Sequence, residues 1–144
     1  MTENQNTGDS QLPPQRKLTG HIVNPANDKL TITVEDHAGA GGANHKYRIS
    51  GFDPDSNPSH VIDPPNYGAV LLFQNGAINE VGVNGITQEA LLEVCIDRLQ
   101  GFQSGPYACR ENALALTKLQ EAQMWLQKRT RDRLARGVEG TLQK

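Results

Sequence analysis

The sequence predicts an α+β fold, in which a small N-terminal antiparallel β-sheet is followed by a C-terminal helical hairpin with one long helix. Apolar and polar residues alternate in two stretches of the first half, at 30–35 and 46–49, as they do in half-buried strands. In the second half, apolar residues instead recur every three or four positions, which is the period of a helix that buries one face. Strands gathered before helices are typical of α+β domains.

A glycine-rich segment, DHAGAGGAN at 36–44, lies between the two alternating stretches. Its composition is typical of a hairpin connection, and this is the interpretation that the sequence favours. The alternative is a loop whose backbone amides approach a phosphate, as glycine-rich loops can. Because the segment does not open a helix, it does not fit the dinucleotide-binding fingerprint.

Proline and glycine divide the rest of the first half. Four prolines within 52–67 predict a loop. The apolar run at 70–74 then predicts a short buried strand. Asn75 and Gly76 form the strongest hairpin-turn signal in the chain, and this signal predicts a partner strand over 78–83.

Two helices are predicted after residue 86. Thr87 is a suitable N-cap for a helix over 88–103, whose apolar residues fall on one face. Pro106 and Gly137 bracket the second helix, because proline is tolerated in a first turn and glycine ends helices. At ~1.5 Å per residue, that helix is roughly 45 Å long. It is too long to be buried within one domain of 144 residues.

Length and composition favour one folded domain. Residues 1–15 contain almost no apolar side chains and are predicted to be a disordered tail. The single predicted domain covers 16–144, with a β-rich part at 16–85 and the helical hairpin at 86–140. The sequence shows neither a signal peptide nor an apolar run of spanning length, and we therefore expect a cytoplasmic protein.

Few residue patterns in the sequence suggest catalysis or metal binding. The four histidines lack metal-ligand spacing, and nucleophile-elbow, P-loop and H-E-x-x-H motifs are absent. Cys95 and Cys109 fall in predicted helices without a C-x-x-C pair, so we expect buried, reduced thiols. The sequence therefore predicts neither an enzyme nor a metal or cofactor site.

Positive charge is concentrated at the end of the long helix, where 128–136 contain five cations and one anion. Arg129, Arg133 and Arg136 follow an i, i+4, i+7 spacing that places them on one stripe. Guanidinium groups on one stripe suit a diphosphate, but spacing alone favours a solvated helix end whose cations offset the helix dipole. The net charge of −2 does not provide the broad positive field that duplex DNA binding needs.

Specific sequence blocks also mark the second half, namely ENALALTKLQEA, KRTRDR and RGVEGT within 73–141. In this region the chain closely resembles the phage Thoeris anti-defence family, type one, whose helical hairpin is shared with phage anti-CBASS sponge proteins. The resemblance implies a sponge, since family proteins bind cyclic ADP-ribose isomers made by bacterial TIR enzymes and hold them without cleaving them. Residues 1–66 are less similar. The alternatives are a nucleic-acid-binding or adaptor hairpin and an enzyme that degrades the signal.

The resemblance also implies which residues contact the ligand. Phe102 would be an aromatic platform, Asn112 an amide facing the base or ribose, and the pair Arg129 and Arg133 a clamp on the phosphates. These residue types suit the roles, because an aromatic ring stacks on adenine and guanidinium groups bind a diphosphate. Similar proteins also take cyclic di- or trinucleotides in separate sites. The residues considered for such a site are Gly41, Gly42, Asn44 and His45.

Helix geometry predicts that two chains share each ligand site. Asn112 and Arg133 are 21 residues apart on one predicted helix, so ~32 Å separates them along its axis. A ligand of mononucleotide size cannot span that distance. If both residues touch one ligand, they come from two chains whose long helices run antiparallel, as in a two-fold dimer. The resemblance further implies a larger even-numbered assembly, with a hexamer as the expected state.

Overall fold

A computed structural model describes residues 15–23, 25–60, 68–137 and 141, and it confirms the α+β fold. The predicted tail at 1–15 lies outside these residues except for Gln15. The second half of the predicted proline-rich loop, at 61–67, and the predicted end of the hairpin part, at 138–140, also lie outside them.

The described elements follow the predicted order, with strands before the two long helices. The strands are β1 (Arg16–Leu18), β2 (Thr31–Val34), β3 (Lys46–Ser50) and β4 (Gly68–Leu72). The α-helices are α1 (Pro25–Asp28), α2 (Ile78–Val81), α3 (Gln88–Gln103) and α4 (Arg110–Ala135). Single turns of 3-10 helix occur at Ala40–Gly42 and Pro54–Ser56.

The four strands form one antiparallel sheet in the order β1-β2-β3-β4. The register between β2 and β3 pairs Val34 with Tyr47 and Ile32 with Ile49. Strand alternation places Val34 on the packed face, where it is 1% exposed. The two strands predicted from alternating residues are therefore confirmed, and the glycine-rich segment does connect them.

The chain divides into two compact units. The first, which we call the sheet unit, contains the residues up to Ala38 and Lys46–Val70. The second, the hairpin unit, contains Gly39–His45 and the residues from Leu71 onwards. The glycine-rich connection thus belongs to the same unit as the long helices. The single domain expected over 16–144 stays a prediction.

The predicted partner strand at 78–83 is wrong, because Ile78–Val81 form the helical turn α2. The ladder positions beside the end of β4 are taken instead by Ile86, whose backbone carbonyl accepts from Gln74 N at 2.9 Å. The Ile86 amide in turn donates to the backbone oxygen of Leu72 at 2.8 Å. Ile86 thus provides the backbone hydrogen bonds that the end of β4 requires. The segment after Asn75 does not have to pair with β4 and forms a helical turn.

Helix α3 has the predicted bounds, and its N-cap is the predicted one, since Thr87 Oγ1 accepts from Ala90 N at 3.2 Å. Its most buried residue, Ile96, is 3% exposed. Helix α4 begins four residues later than predicted, because Cys109 serves as its N-cap and its sulfur accepts from Asn112 N at 3.4 Å. Among the described residues we find no helical stretch with the length and hydropathy that a bilayer span requires.

The expectation of buried thiols is wrong, since Cys95 and Cys109 are both exposed. On α3, the packed face is centred on Ile96, and Cys95 lies to one side of it. Cys109 is outside the regular helix altogether, because its side chain caps the first turn of α4. Apolar periodicity indicated the correct helices but did not resolve the edge of the packed face.

Candidate ligand-binding site

The helical hairpin is closed by reciprocal hydrogen bonds at its turn. The Gln103 side-chain amide donates to the Cys109 carbonyl at 3.1 Å and accepts from the Cys109 amide at 3.0 Å. Midway along the hairpin, Gln123 Nε2 donates to Glu93 Oε2 at 2.7 Å. Because both helices advance at ~1.5 Å per residue, the start of α3 at Gln88 lies opposite α4 near Lys128. The last turns of α4 therefore extend past the start of α3.

This extension carries the positive charge that the sequence indicated, and we call 128–136 the basic overhang. Within it, Lys128 Nζ and Asp132 Oδ2 form an ion pair at 2.6 Å. The hydrogen bond from Lys128 holds the pKa of Asp132 below its ordinary value. Arg129 is exposed and makes no ion pair with the described part of the chain. Its guanidinium group is thus available to an anion from outside.

Arg133 differs from Arg129 although the two lie one turn apart. Its side chain is half-buried, and Nη2 donates to the backbone oxygen of Thr141 at 2.8 Å. Thr141 thus lies against the overhang. This contact orients the Arg133 guanidinium, since a planar fork that donates on one side has its other donors fixed in direction.

Phe102 lies in the last turn of α3 and keeps 37% of its surface exposed. The guanidinium carbon of Arg98 is 5.1 Å from the centroid of the ring, which is a cation–π distance. Exposure permits a ligand base to stack on the ring. Sequence reasoning missed Arg98, although its i, i+4 spacing from Phe102 is the signal that could have found it.

Asn112 is half-buried in the first turn of α4. Its backbone amide donates to the Cys109 sulfur, whereas its side-chain amide makes no hydrogen bond with the described residues. Asn112 and Phe102 flank the same hairpin turn, at the end of the hairpin opposite to the basic overhang. An exposed aromatic ring and an open amide thus occur together there.

The two arginines are far from this pair within one chain. Helix α4 is continuous from Arg110 to Ala135. At ~1.5 Å per residue, ~26 Å separates Asn112 from Arg129 and ~32 Å separates it from Arg133. The fold therefore brings Phe102 and Asn112 to one end of the hairpin and places the arginine pair at the other.

The second candidate site is the glycine loop, which we define as Gly39–His45. Its backbone turns through Gly41 and Gly42, with φ angles of 72° and 78° that favour glycine. A Cβ atom on either residue would meet no atom within 4 Å, so this side of the loop is open. At the other side, Asn44 is half-buried and His45 is 6% exposed. The loop thus combines an open glycine tip with a packed base.

Comparison with known proteins gives two matches. Residues 69–131 match the family model of the Acb2/Tad1 hairpin domain. The chain is also 42% identical over 123 residues to Thoeris anti-defense 1 of Bacillus phage SBSphiJ7. This second match covers 85% of the chain and 78% of the phage protein. The hairpin-domain match includes Phe102, Asn112 and Arg129, whereas Arg133 and the glycine loop lie outside it.

Proposed function

Because the chain belongs to the Thoeris anti-defence 1 family, we propose that it is a phage sponge that sequesters cyclic ADP-ribose isomers made by bacterial TIR enzymes. By removing the signal from the cytoplasm of the infected bacterium, it blocks Thoeris immunity. The observation that carries the proposal is the open guanidinium of Arg129, which lies in the basic overhang of a hairpin whose other end holds an exposed aromatic ring.

Each part of such a ligand has a suitable residue. The adenine ring stacks on the exposed part of Phe102, whose ring also packs against the Arg98 guanidinium group. The side-chain amide of Asn112 supplies one donor group and one acceptor for the base or a ribose. Arg129 and Arg133 bind the diphosphate through charge-assisted hydrogen bonds.

One ligand pocket requires two chains. A ligand of mononucleotide size cannot bridge the ~32 Å between Asn112 and Arg133 on one straight helix. In a two-fold dimer with antiparallel α4 helices, Asn112 of one protomer meets the arginines of its partner, which creates two equivalent pockets. Such dimers are the unit of a larger homo-oligomer, for which we propose a hexamer.

The protein acts by binding and not by catalysis. The four proposed contacts are an aromatic ring, an amide and two guanidinium groups, which lack a nucleophile paired with a general base. The ligand should therefore be recovered chemically intact after the complex is denatured by heat and the released molecule is analysed by mass spectrometry. A cleaved product would identify a degrading enzyme.

The glycine loop is a separate site for cyclic di- or trinucleotides of CBASS signalling. Its open tip at Gly41 and Gly42 permits close approach of a phosphate to the backbone. The other two residues that we propose for this site, Asn44 and His45, lie at the packed base of the loop, where Asn44 is half-buried and His45 is 6% exposed. Occupation of this site should be independent of the cyclic ADP-ribose isomer pockets.

Isothermal titration against a panel of cyclic ADP-ribose isomers and cyclic oligonucleotides tests both sites. We expect saturable binding of at least one isomer, with one ligand per chain in the dimer. A nucleic-acid-binding hairpin would instead bind DNA with an affinity that falls steeply as salt rises. Binding of DNA without binding of any isomer would contradict the proposed function.

A further inference from the structure

Three amide side chains link the end of β4 to the glycine loop. The first, Gln74, accepts from the backbone amide of Asn84 at 3.0 Å and donates to the carbonyl of Gly82 at 2.8 Å. Asn84 in turn holds the backbone of Asn75 on both sides. Its Oδ1 accepts from Asn75 N at 2.9 Å, and its Nδ2 donates to Asn75 O at 2.7 Å. The backbone of Asn75 is therefore held by hydrogen bonds that do not involve its own side chain.

The side chain of Asn75 reaches the glycine loop. Its Oδ1 accepts from the backbone amide of Ala40 at 3.3 Å. A Cβ atom on Gly39 would come within 3.0 Å of the same oxygen, so the loop backbone lies directly against the Asn75 amide. The far end of the loop is held by Phe73, whose backbone amide donates to the His45 carbonyl at 2.8 Å. Residues 73–75 thus fasten the loop at both of its ends.

The glycine loop connects two strands of the sheet unit but belongs to the hairpin unit. These hydrogen bonds explain why. Asn84 precedes the α3 N-cap by three residues. A series of hydrogen bonds from Asn84 through Asn75 to Ala40 therefore links the start of α3 to the loop. Its contacts lie on the side of the loop that carries Gly39, whereas Gly41 and Gly42 remain open. The arrangement fixes the base of the loop and leaves its tip accessible.

We propose that Asn75 is a positioning residue that holds the glycine loop ready for a cyclic oligonucleotide, an inference that rests on the second site of the proposed function. A loop that binds a phosphodiester through its backbone loses affinity if it must first be ordered, because ordering costs conformational entropy. The hydrogen bond from Ala40 to Asn75 removes part of this cost in advance. Asn75 itself does not contact the ligand.

The test compares Asn75→Ala with Asn79→Ala, an exposed asparagine on α2 whose side chain makes no hydrogen bond with the described residues. We expect Asn75→Ala to speed hydrogen exchange of the Ala40 amide about five-fold and to weaken cyclic oligonucleotide binding about five-fold, as one lost hydrogen bond predicts. Asn79→Ala should change neither quantity. Binding of cyclic ADP-ribose isomers should be the same in both variants.

Two further variants separate the possible failures. Asn75→Asp keeps an acceptor for the Ala40 amide and should keep its protection from exchange, which distinguishes a lost hydrogen bond from altered folding. Gly42→Val tests the ligand site itself by placing a bulky side chain at the open tip. If Gly42→Val abolishes oligonucleotide binding while Asn75→Ala leaves affinity and Ala40 exchange at parent values, the positioning role is overturned. If the parent protein binds no cyclic oligonucleotide, the proposal of a second site is overturned. In that case, unchanged hydrogen exchange of the Ala40 amide in Asn75→Ala would separately overturn the positioning role.

Discussion

The sheet unit and the hairpin unit use their charged residues differently. In the sheet unit, Glu35 accepts a hydrogen bond from Arg48 Nε at 2.6 Å and lies 3.6 Å from Lys46 Nζ. Glu35, the residue after β2, thus pairs with two cations of β3. In the hairpin unit, Arg129 makes no such pair with the described residues. The hairpin unit also contains the ion pairs Lys118–Glu121 and Lys128–Asp132. The exposed guanidinium group of Arg129 is therefore the feature of this unit that is suited to bind an anion.

Large apolar residues are exposed in both units, and on α4 two of them share one face. The described part of α4 has no buried residue, and Trp125 and Leu114 are 59% and 48% exposed. Eleven residues separate the two, about three helical turns, so they lie on one stripe. The residues of α4 that face α3 occupy other positions, such as Leu116 and Leu119. Lys118 and Glu121 lie between Leu114 and Trp125 on the same face and form an ion pair. The face thus combines two exposed apolar side chains with paired charges, and we expect the partner helix of the proposed dimer to pack against it.

Breaking this stripe should have the largest effect. The double variant Leu114→Glu and Trp125→Glu places two charges where the proposed partner helix packs, and we expect it to sediment as a monomer. If each pocket needs two chains, as proposed, isomer binding should weaken by more than about 100-fold. Val83→Glu is the control, since Val83 is 79% exposed and lies outside α4. A monomeric double variant that retains parent affinity would exclude the two-chain pocket.

The arginine pair should have the next largest effect on binding. Arg129→Ala and Arg133→Ala should each weaken isomer binding by roughly ten- to hundred-fold, since a charge-assisted contact contributes about 1.5–3 kcal/mol. Lysine at either position should recover only part of the affinity, because it keeps the charge without the fork. Arg131, which lies about 200° around the helix from Arg129, is the matched control. If Arg131→Ala costs as much as Arg129→Ala, the overhang acts as a diffuse positive patch.

Mixing two weakened variants gives a sharper test of the shared pocket. In a dimer of one Asn112→Ala chain and one Arg129→Ala chain, one pocket carries both substitutions and the other carries neither. After random exchange of subunits, we expect about a quarter of the sites to bind with parent affinity. Calorimetric titration of the mixture gives this stoichiometry directly. If mixing restores no sites although subunit exchange is demonstrated, both contacts come from the same chain.

The sheet unit should respond to acid with a smaller effect, on stability alone. The hydrogen bond from Arg48 holds the pKa of Glu35 below its ordinary value of 4.5. A lowered carboxyl pKa stabilises the folded state above pH 4.5, and this contribution is lost as pH falls through the lowered pKa. The melting temperature of the parent should therefore fall more on acidification than that of Glu35→Gln. Equal acid sensitivity would show that the contact does not stabilise the fold.

Local sequence signals predicted the helices and central strands well. The bounds of α3 follow from the Thr87 cap and a clear apolar period, both of which depend on residues close in sequence. The strand predicted over 78–83 failed because its position depended on Ile86, which took the neighbouring hydrogen bonds. A strong turn signal at Asn75 and Gly76 could not reveal this competition.

For the candidate site, too, contacts between residues that are distant in sequence could not be predicted. Phe102, Asn112, Arg129 and Arg133 were named from the family resemblance, and their ligand contacts stay predictions. The contact of Arg133 with Thr141 and the packing of Arg98 on Phe102 depend on side-chain directions that spacing alone does not give. The role of Asn75 was invisible, because its partners Asn84 and Ala40 are 9 and 35 residues away. Such contacts become apparent only when the chain is folded.

The uninterrupted course of α4 has a consequence for the span of the proposed pocket. In the proposed dimer, the gap between Asn112 of one protomer and Arg129 of its partner is set by where the two helices cross, and not by either side chain. The length of α4 therefore determines the distance between these two contact residues in the proposed dimer. An insertion of seven residues moves the arginines by about 10.5 Å along the axis while keeping them on nearly the same face. Such an insertion would change the span of the proposed pocket without changing any contact residue.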